Sequence, residues 1–221
     1  MTVETLISNT TPPLKRADTV EYGLGLMMEL RVRHLPVVDA DRHVVGIVSE
    51  DMMLDAAGPD ALVDTLLGQD PLSVESDTHV FEVASVMMHH SLTTMPVTDS
   101  NREYIGLLRR TDLFEWFARL LSTQEPGAIL ALEIEERDYA LSQVIYAIEQ
   151  NNVRVLSLSS EQSNRDEGLI CVTLKLNTKD AARVRHLLEH HGYRVVAAFG
   201  EDETEDDLAD RVQEFMRYLE V

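Results

Sequence analysis

Apolar and polar positions follow the same pattern twice in this chain, at a fixed offset. Shifting the sequence by sixty residues aligns Thr5-Leu6 with Thr65-Leu66, Val20 with Val80, Met27-Met28 with Met87-Met88, Pro36-Val37 with Pro96-Val97, Asp39 with Asp99, Arg42 with Arg102 and Gly46 with Gly106. These ten identities need no gap and indicate one supersecondary unit present twice. A solenoid would need about three or more stacked copies. Within each copy, Asp18-Thr19 or Asp77-Thr78 offers a helix start. Val20, Leu24, Met27 and Met28, or Val80, Val83, Val86 and Met87, then mark one apolar helical face. Proline follows and forces the preceding residue into extended backbone. The runs PVVD and VVGIVS around the turn ADRH predict a hairpin, and PVTD and YIGLLR around SNRE predict it again. A second helix closes each copy, DMMLDAA in the first and DLFEWFARLL in the second.

Beyond Ser122 the rhythm changes. STQEPG at 122–127 is a polar linker with proline and glycine. Strands are predicted over Ile129–Ile134, Val153–Leu158, Leu169–Leu176 and Tyr193–Phe199, and helices over Tyr139–Gln150 and Lys179–His191, with Gly192 as the helix stop. SSEQSNRDEG reads as a loop between the middle strands, and Asp138 as the cap of the helix starting at Tyr139. Seven of the ten residues 201–210 are acidic, and Leu208, Val212, Phe215 and Leu219 then predict a C-terminal amphipathic helix.

Composition narrows the partners. The chain carries 39 acidic and 19 basic residues, a formal charge of −20, which repels phosphate backbones and anionic lipid. Neither nucleic acid nor membrane is expected as a partner, and a cytoplasmic location is expected, because no apolar run approaches the ~18 residues of a membrane span. Cys171 is the only cysteine, so neither an internal disulfide nor a cysteine-rich zinc cage can form. The adjacent pairs His89-His90 and His190-His191 point about 100° apart on a helix and chelate poorly, so no metal site is expected. Met27-Met28, Met87-Met88 and Trp116 read as core or interface filling. No phosphate loop, nucleophile elbow or metalloprotease motif is present, so catalysis by this chain is not expected and no cofactor is required.

HLPVVD at 34–39 with GIVSEDM at 46–52, and TMPVTD at 94–99 with GLLRRTDL at 106–113, resemble the CBS domain, named after cystathionine β-synthase. A tandem pair of such domains is a Bateman module. The βαββαβ order past residue 127 looks like an ACT domain, a ferredoxin-like module. The resemblance implies an α+β architecture: CBS repeats over 1–61 and 62–122 forming a pseudo-twofold module, an ACT-like domain over 128–199, and an acidic linker with the terminal helix over 200–221. The CBS-CBS-ACT order is similar to regulators of the acetoin-utilisation protein B type.

In the CBS family an adenosine ligand is held by glycine, two apolar residues, Ser or Thr, two more residues, then Asp or Asn. The hydroxyl can bond a phosphate, the carboxylate can bond the ribose hydroxyls, and the helix N-terminus favours negative charge. Ser49 fits the hydroxyl position of the first copy, where Met52 replaces the carboxylate. Asp112 fits the ribose position of the second, where Arg109 replaces the hydroxyl. The second site is the better candidate, because Arg109 and Arg110 can answer a phosphate with charge, while Pro96 and Val97 would flank an adenine by family analogy. Ser49 and Asp112 are equally ordinary helix-starting residues that need no ligand. The resemblance implies a non-catalytic homodimeric sensor of AMP, ADP, ATP or S-adenosylmethionine, coupled to a partner or second subunit by its ACT-like domain. The alternative is a ligand-free adaptor that dimerises and recruits an enzyme.

Overall fold

Both repeats are built on one plan, which the computed structural model shows over residues 1–8, 11–68, 71–163 and 168–200 of the chain. The first repeat runs β1 (Leu14–Lys15), α1 (Val20–Leu30), β2 (His34–Val38), β3 (Val44–Ser49) and α2 (Glu50–Leu54). The second runs β4 (Val74–Glu75), α3 (Val80–His89), β5 (Thr94–Thr98), β6 (Tyr104–Arg109) and α4 (Arg110–Leu120). Each forms a three-stranded sheet, in order β1-β2-β3 and β4-β5-β6, with the first pair parallel and the hairpin antiparallel. The registers repeat as well: Val37 faces Gly46, and Val97 faces Gly106. Even the left-handed residues are shared, with Arg42 and Arg102 in the hairpin turns at φ 65° and 66°, and Arg31 and Ser91 after the first helices at φ 56° and 53°.

The helix starts differ in detail. Thr19 accepts the Tyr22 N–H at 3.3 Å and caps α1 as the sequence suggests. In α3 the cap moves one residue past Thr78, where the His79 imidazole accepts the Phe81 N–H at 3.2 Å. Helix α1 buries Val20, Gly23, Leu26 and Met27, and α3 buries Val80, Val83 and Met87. A side-chain carbon on Gly23 would lie 2.5 Å from the Met53 methyl, so a larger residue there would make the Met53 side chain shift. One methionine of each pair fills the core: Met27 and Met87 are 2% exposed, whereas Met28 and Met88 are 81% exposed and lie outside it. Neighbours on a helix point about 100° apart, so only one of two can face inward.

The chain divides into two compact units, Met1–Trp116 and Phe117–Val221. The second holds β7 (Ile129–Glu135), α5 (Leu141–Glu149), β8 (Val155–Gln162), β9 (Leu169–Leu176), α6 (Ala181–His190) and β10 (Arg194–Phe199). Its antiparallel sheet has the order β10-β7-β9-β8, so the first strand lies between the last and the third, a split βαββαβ arrangement. Leu130, Leu132, Val172 and Leu174 meet Val144, Ile148, Val184 and Leu188 in the core. Gly192 ends the α6 region at φ 86°.

Two local expectations change. Ser159–Gln162 belongs to β8 rather than to a loop, because its backbone continues to pair with Thr173–Ile170 of β9 while its polar side chains stay exposed at the sheet edge. Asp138 does not cap α5: it ends a 3-10 turn over Glu136–Asp138, and Ala140 precedes the helix without a side-chain cap. Arg137 reaches Glu135 at 2.6 Å and Asp138 at 3.6 Å across that turn. Asp180 plays the capping role for α6, accepting the Arg183 N–H at 2.9 Å. The predicted C-terminal helix lies outside the described residues.

Candidate functional site

The hairpin starts of the two repeats meet one another, and both second helices begin at this junction. The Arg33 N–H donates to Thr93 Oγ1 at 3.0 Å, and Thr94 Oγ1 donates to the His34 carbonyl at 2.8 Å. Both contacts join residues exactly one repeat period apart in kind: each span is sixty residues. Residues that lie at a twofold relation between copies touch their own counterparts, which is why both contacts span one period. His34 Nδ1 accepts the Thr93 N–H at 3.3 Å and lies 3.0 Å from Thr93 Oγ1, which requires that nitrogen to be unprotonated. Burial, first, and the neighbouring Arg33 charge push His34 below the usual histidine range, with Arg110 acting in the same sense and Asp51 against it.

Each second helix hangs on this junction through its first amide: Glu50 N–H to the Arg33 carbonyl, and Arg110 N–H to the Thr93 carbonyl, both at 2.9 Å. In the first repeat, Ser49 accepts the Met52 N–H at 3.1 Å, so the hydroxyl caps α2. Arg33 gathers the adjacent acids, Glu50 at 2.8 Å and Asp51 at 2.9 Å. In the second repeat Asp112 accepts three bonds from Arg109: the backbone N–H at 3.1 Å, Nε at 3.0 Å and Nη2 at 2.7 Å. The carboxylate therefore caps α4 and forms a fork with the guanidinium, whose proton it holds more tightly than usual.

Arg109 and Asp112 thus face each other rather than standing side by side toward a common ligand. Arg110, one residue on, is exposed, and among the described residues no carboxylate pairs with it. Pro96 and Val97 are buried in β5, opposite Leu107 and Gly106. Sequence reading passed over His34, Arg33 and Thr93. The sixty-residue shift makes positions 33 and 93 equivalent, but it does not by itself single them out from any other equivalent pair. Among the described residues no group of three His, Cys, Asp or Glu could hold a metal ion, and no helix is long and apolar enough to cross a membrane.

The family model for the CBS domain matches residues 4–58 and 63–119. The chain belongs to the CBS-domain family. CBS pairs are in general regulatory modules. Among curated relatives, homoserine O-acetyltransferase of Methanocorpusculum labreanum is 28% identical over 109 residues, which are 49% of this chain and 22% of that one. The chain thus spans about a fifth of that larger enzyme, matching its CBS region. Among solved structures, the Vibrio cholerae chain described as acetoin utilization protein AcuB is 26% identical with a TM-score of 0.50, over 57% of this chain and 96% of that one. A CBS domain pair/ACT domain protein of Thermotoga maritima, 21% identical with a TM-score of 0.50 over 55% of this chain and 99% of that one, shares the fold.

Proposed function

We propose that this CBS protein is a regulatory sensor of an adenosine-containing metabolite, AMP, ADP, ATP or S-adenosylmethionine, bound at the start of α4. The observation that carries the reading is Arg110, an exposed cation without a carboxylate partner among the described residues, beside the Arg109–Asp112 fork. A phosphate or sulfonium-linked carboxylate would take Arg110 first. Ribose hydroxyls would then compete with Arg109 for Asp112, and the released Arg109 would join the anion. Ligand binding would exchange an internal fork for an external one, repositioning α4 against the His34–Thr93 junction. A ligand that favours one of these arrangements shifts the equilibrium between them, which is what allosteric control requires.

In this proposal the functional parts are 1–61, 62–122, 128–199 and 200–221. The βαββαβ unit is read as ACT-like, coupling the CBS pair to a second subunit or a partner enzyme, and the likeness to the Vibrio cholerae protein supports an acetoin-utilisation protein B type of regulator. Thermal unfolding of the full chain with AMP, ADP, ATP, S-adenosylmethionine and NAD tests the reading. One of these adenosine compounds should raise Tm, and the rise should disappear in Arg110→Ala and in Asp112→Ala while surviving in Ser49→Ala. If none of the compounds moves Tm, the reading fails. The closed Arg109–Asp112 fork favours a second reading, a ligand-free adaptor that dimerises and recruits an enzyme. Under that reading Asp112→Ala alters stability alone.

A further inference from the structure

The turn ends of the hairpins also meet their counterparts. The backbones of His43 and Glu103 pair antiparallel, and the Tyr104 N–H donates to the Arg42 carbonyl at 2.9 Å. Val44 and Tyr104, the first residues of β3 and β6, are equivalent positions sixty apart. They fill their surroundings differently. Tyr104 is 3% exposed and clusters with Val38, Val44 and Leu107. Its hydroxyl donates to the Thr11 carbonyl at 3.3 Å, in the segment leading to β1, and burial pushes its ionisation well above the usual phenol range. Arg42 lies 6.0 Å over the ring and bonds the Tyr104 carbonyl at 2.8 Å. On that side the space between hairpin and leading segment is closed by a side chain.

On the equivalent side valine is too short to do this. A cavity of about 530 Å³ is left between the first hairpin and the segment leading to β4, and its walls include His43, Val44, Ser73, Glu75, Thr98 and Arg102. Arg102 has no carboxylate partner and Glu75 no cationic partner among the described residues, and no ion pair joins the two. Thr98 is 3% exposed, yet its hydroxyl makes only a long 3.4 Å bond to the Val74 carbonyl, so it keeps capacity for a closer partner. His43 is already turned toward Asp39, 3.7 Å away.

Unpaired charges of opposite sign lining one small cavity select for a ligand that carries both. A simple anion would meet Glu75 and the −20 charge of the chain, and a simple cation would leave Arg102 unanswered. A zwitterion carries no net charge to be repelled. We propose that the cavity beside Val44 binds a small α-amino acid, its carboxylate on Arg102 and its ammonium on Glu75, with Val44 against its side chain. Thr98 ends β5 at the opposite end from Thr94, about 13 Å along the strand, so this site is separate from the start of α4 and does not rest on the nucleotide reading.

Calorimetric titration of the full chain with each of the twenty protein amino acids, and with acetate and methylamine as half-ligands, tests the proposal. At least one amino acid should bind at least tenfold more tightly than either half-ligand. Its affinity should fall at least tenfold in Val44→Tyr, which copies the filled side, and in Arg102→Ala. Thermal melts report whether each variant stays folded, and the exposed Arg102 position decides the matter if the tyrosine disturbs packing. Absence of binding by all twenty, or binding unchanged in Arg102→Ala, overturns the proposal.

Discussion

The two repeats share a backbone and differ in their polar side chains. Their strand registers, bulges and left-handed turn residues coincide, while the junctions end in opposite arrangements: Ser49 caps one helix and leaves Arg33 to gather Glu50 and Asp51, whereas Asp112 caps the other and engages Arg109. At the turn ends, Tyr104 closes one side and Val44 leaves the other open. Duplication thus preserves what the core demands, since every apolar residue there has many neighbours. Helix starts and cavity walls are free to diverge, because a cap can come from a hydroxyl, a carboxylate or an imidazole at similar cost.

Substitutions at equivalent positions measure how far this holds. The largest effect is expected in the shared core: Leu35→Ala and Met95→Ala, each at 0% exposure, should each lose about 2–5 kcal/mol in urea unfolding. Values differing by more than the breadth of that range between the repeats would break the equivalence. Next come the divergent caps. Asp112→Ala should lose about 1–2 kcal/mol, held down because Arg109 is 39% exposed, and Ser49→Ala about 1 kcal/mol. A costlier serine would reverse the ranking of the two helix starts.

The junction should show a weaker, pH-dependent effect. His34 holds its proton less well in the folded protein than in the unfolded chain, where its pKa is about 6.5. The unfolded state therefore binds more protons, so stability is full above that value and declines as pH falls below it. His34→Asn, which keeps an acceptor for the Thr93 N–H, should flatten this acid slope in denaturation curves recorded between pH 7.5 and 5. An unchanged slope would remove His34 as its source. Smallest of all, Met28→Gln and Met88→Gln should stay within about 0.5 kcal/mol of the parent, as expected for side chains 81% exposed.

Much of the fold was legible because it repeats or alternates. The sixty-residue offset located both copies, the prolines and glycines located the hairpins, and the apolar spacing located α1 and α3. Readings failed where a local signal had two outcomes. An edge strand with polar side chains looks like a loop, as at Ser159–Gln162, and an acidic residue before a helix need not cap it, as at Asp138. Within the candidate site, sequence singled out Ser49, Arg109, Arg110 and Asp112 as chemically expressive, but not that Arg109 would occupy both oxygens of Asp112 while Arg110 has no carboxylate partner among the described residues.

By itself, then, the sequence determined the duplicated strand-and-helix plan, since periodicity acts over a few neighbouring positions, but not which methionine of each pair turns to the core. Only the tertiary structure decided which charges neutralise one another, that His34 leans on Thr93, and that Tyr104 fills a space its counterpart leaves empty. Those outcomes turn on competition among groups brought together from distant parts of the chain, and distances of a few ångströms choose the winner.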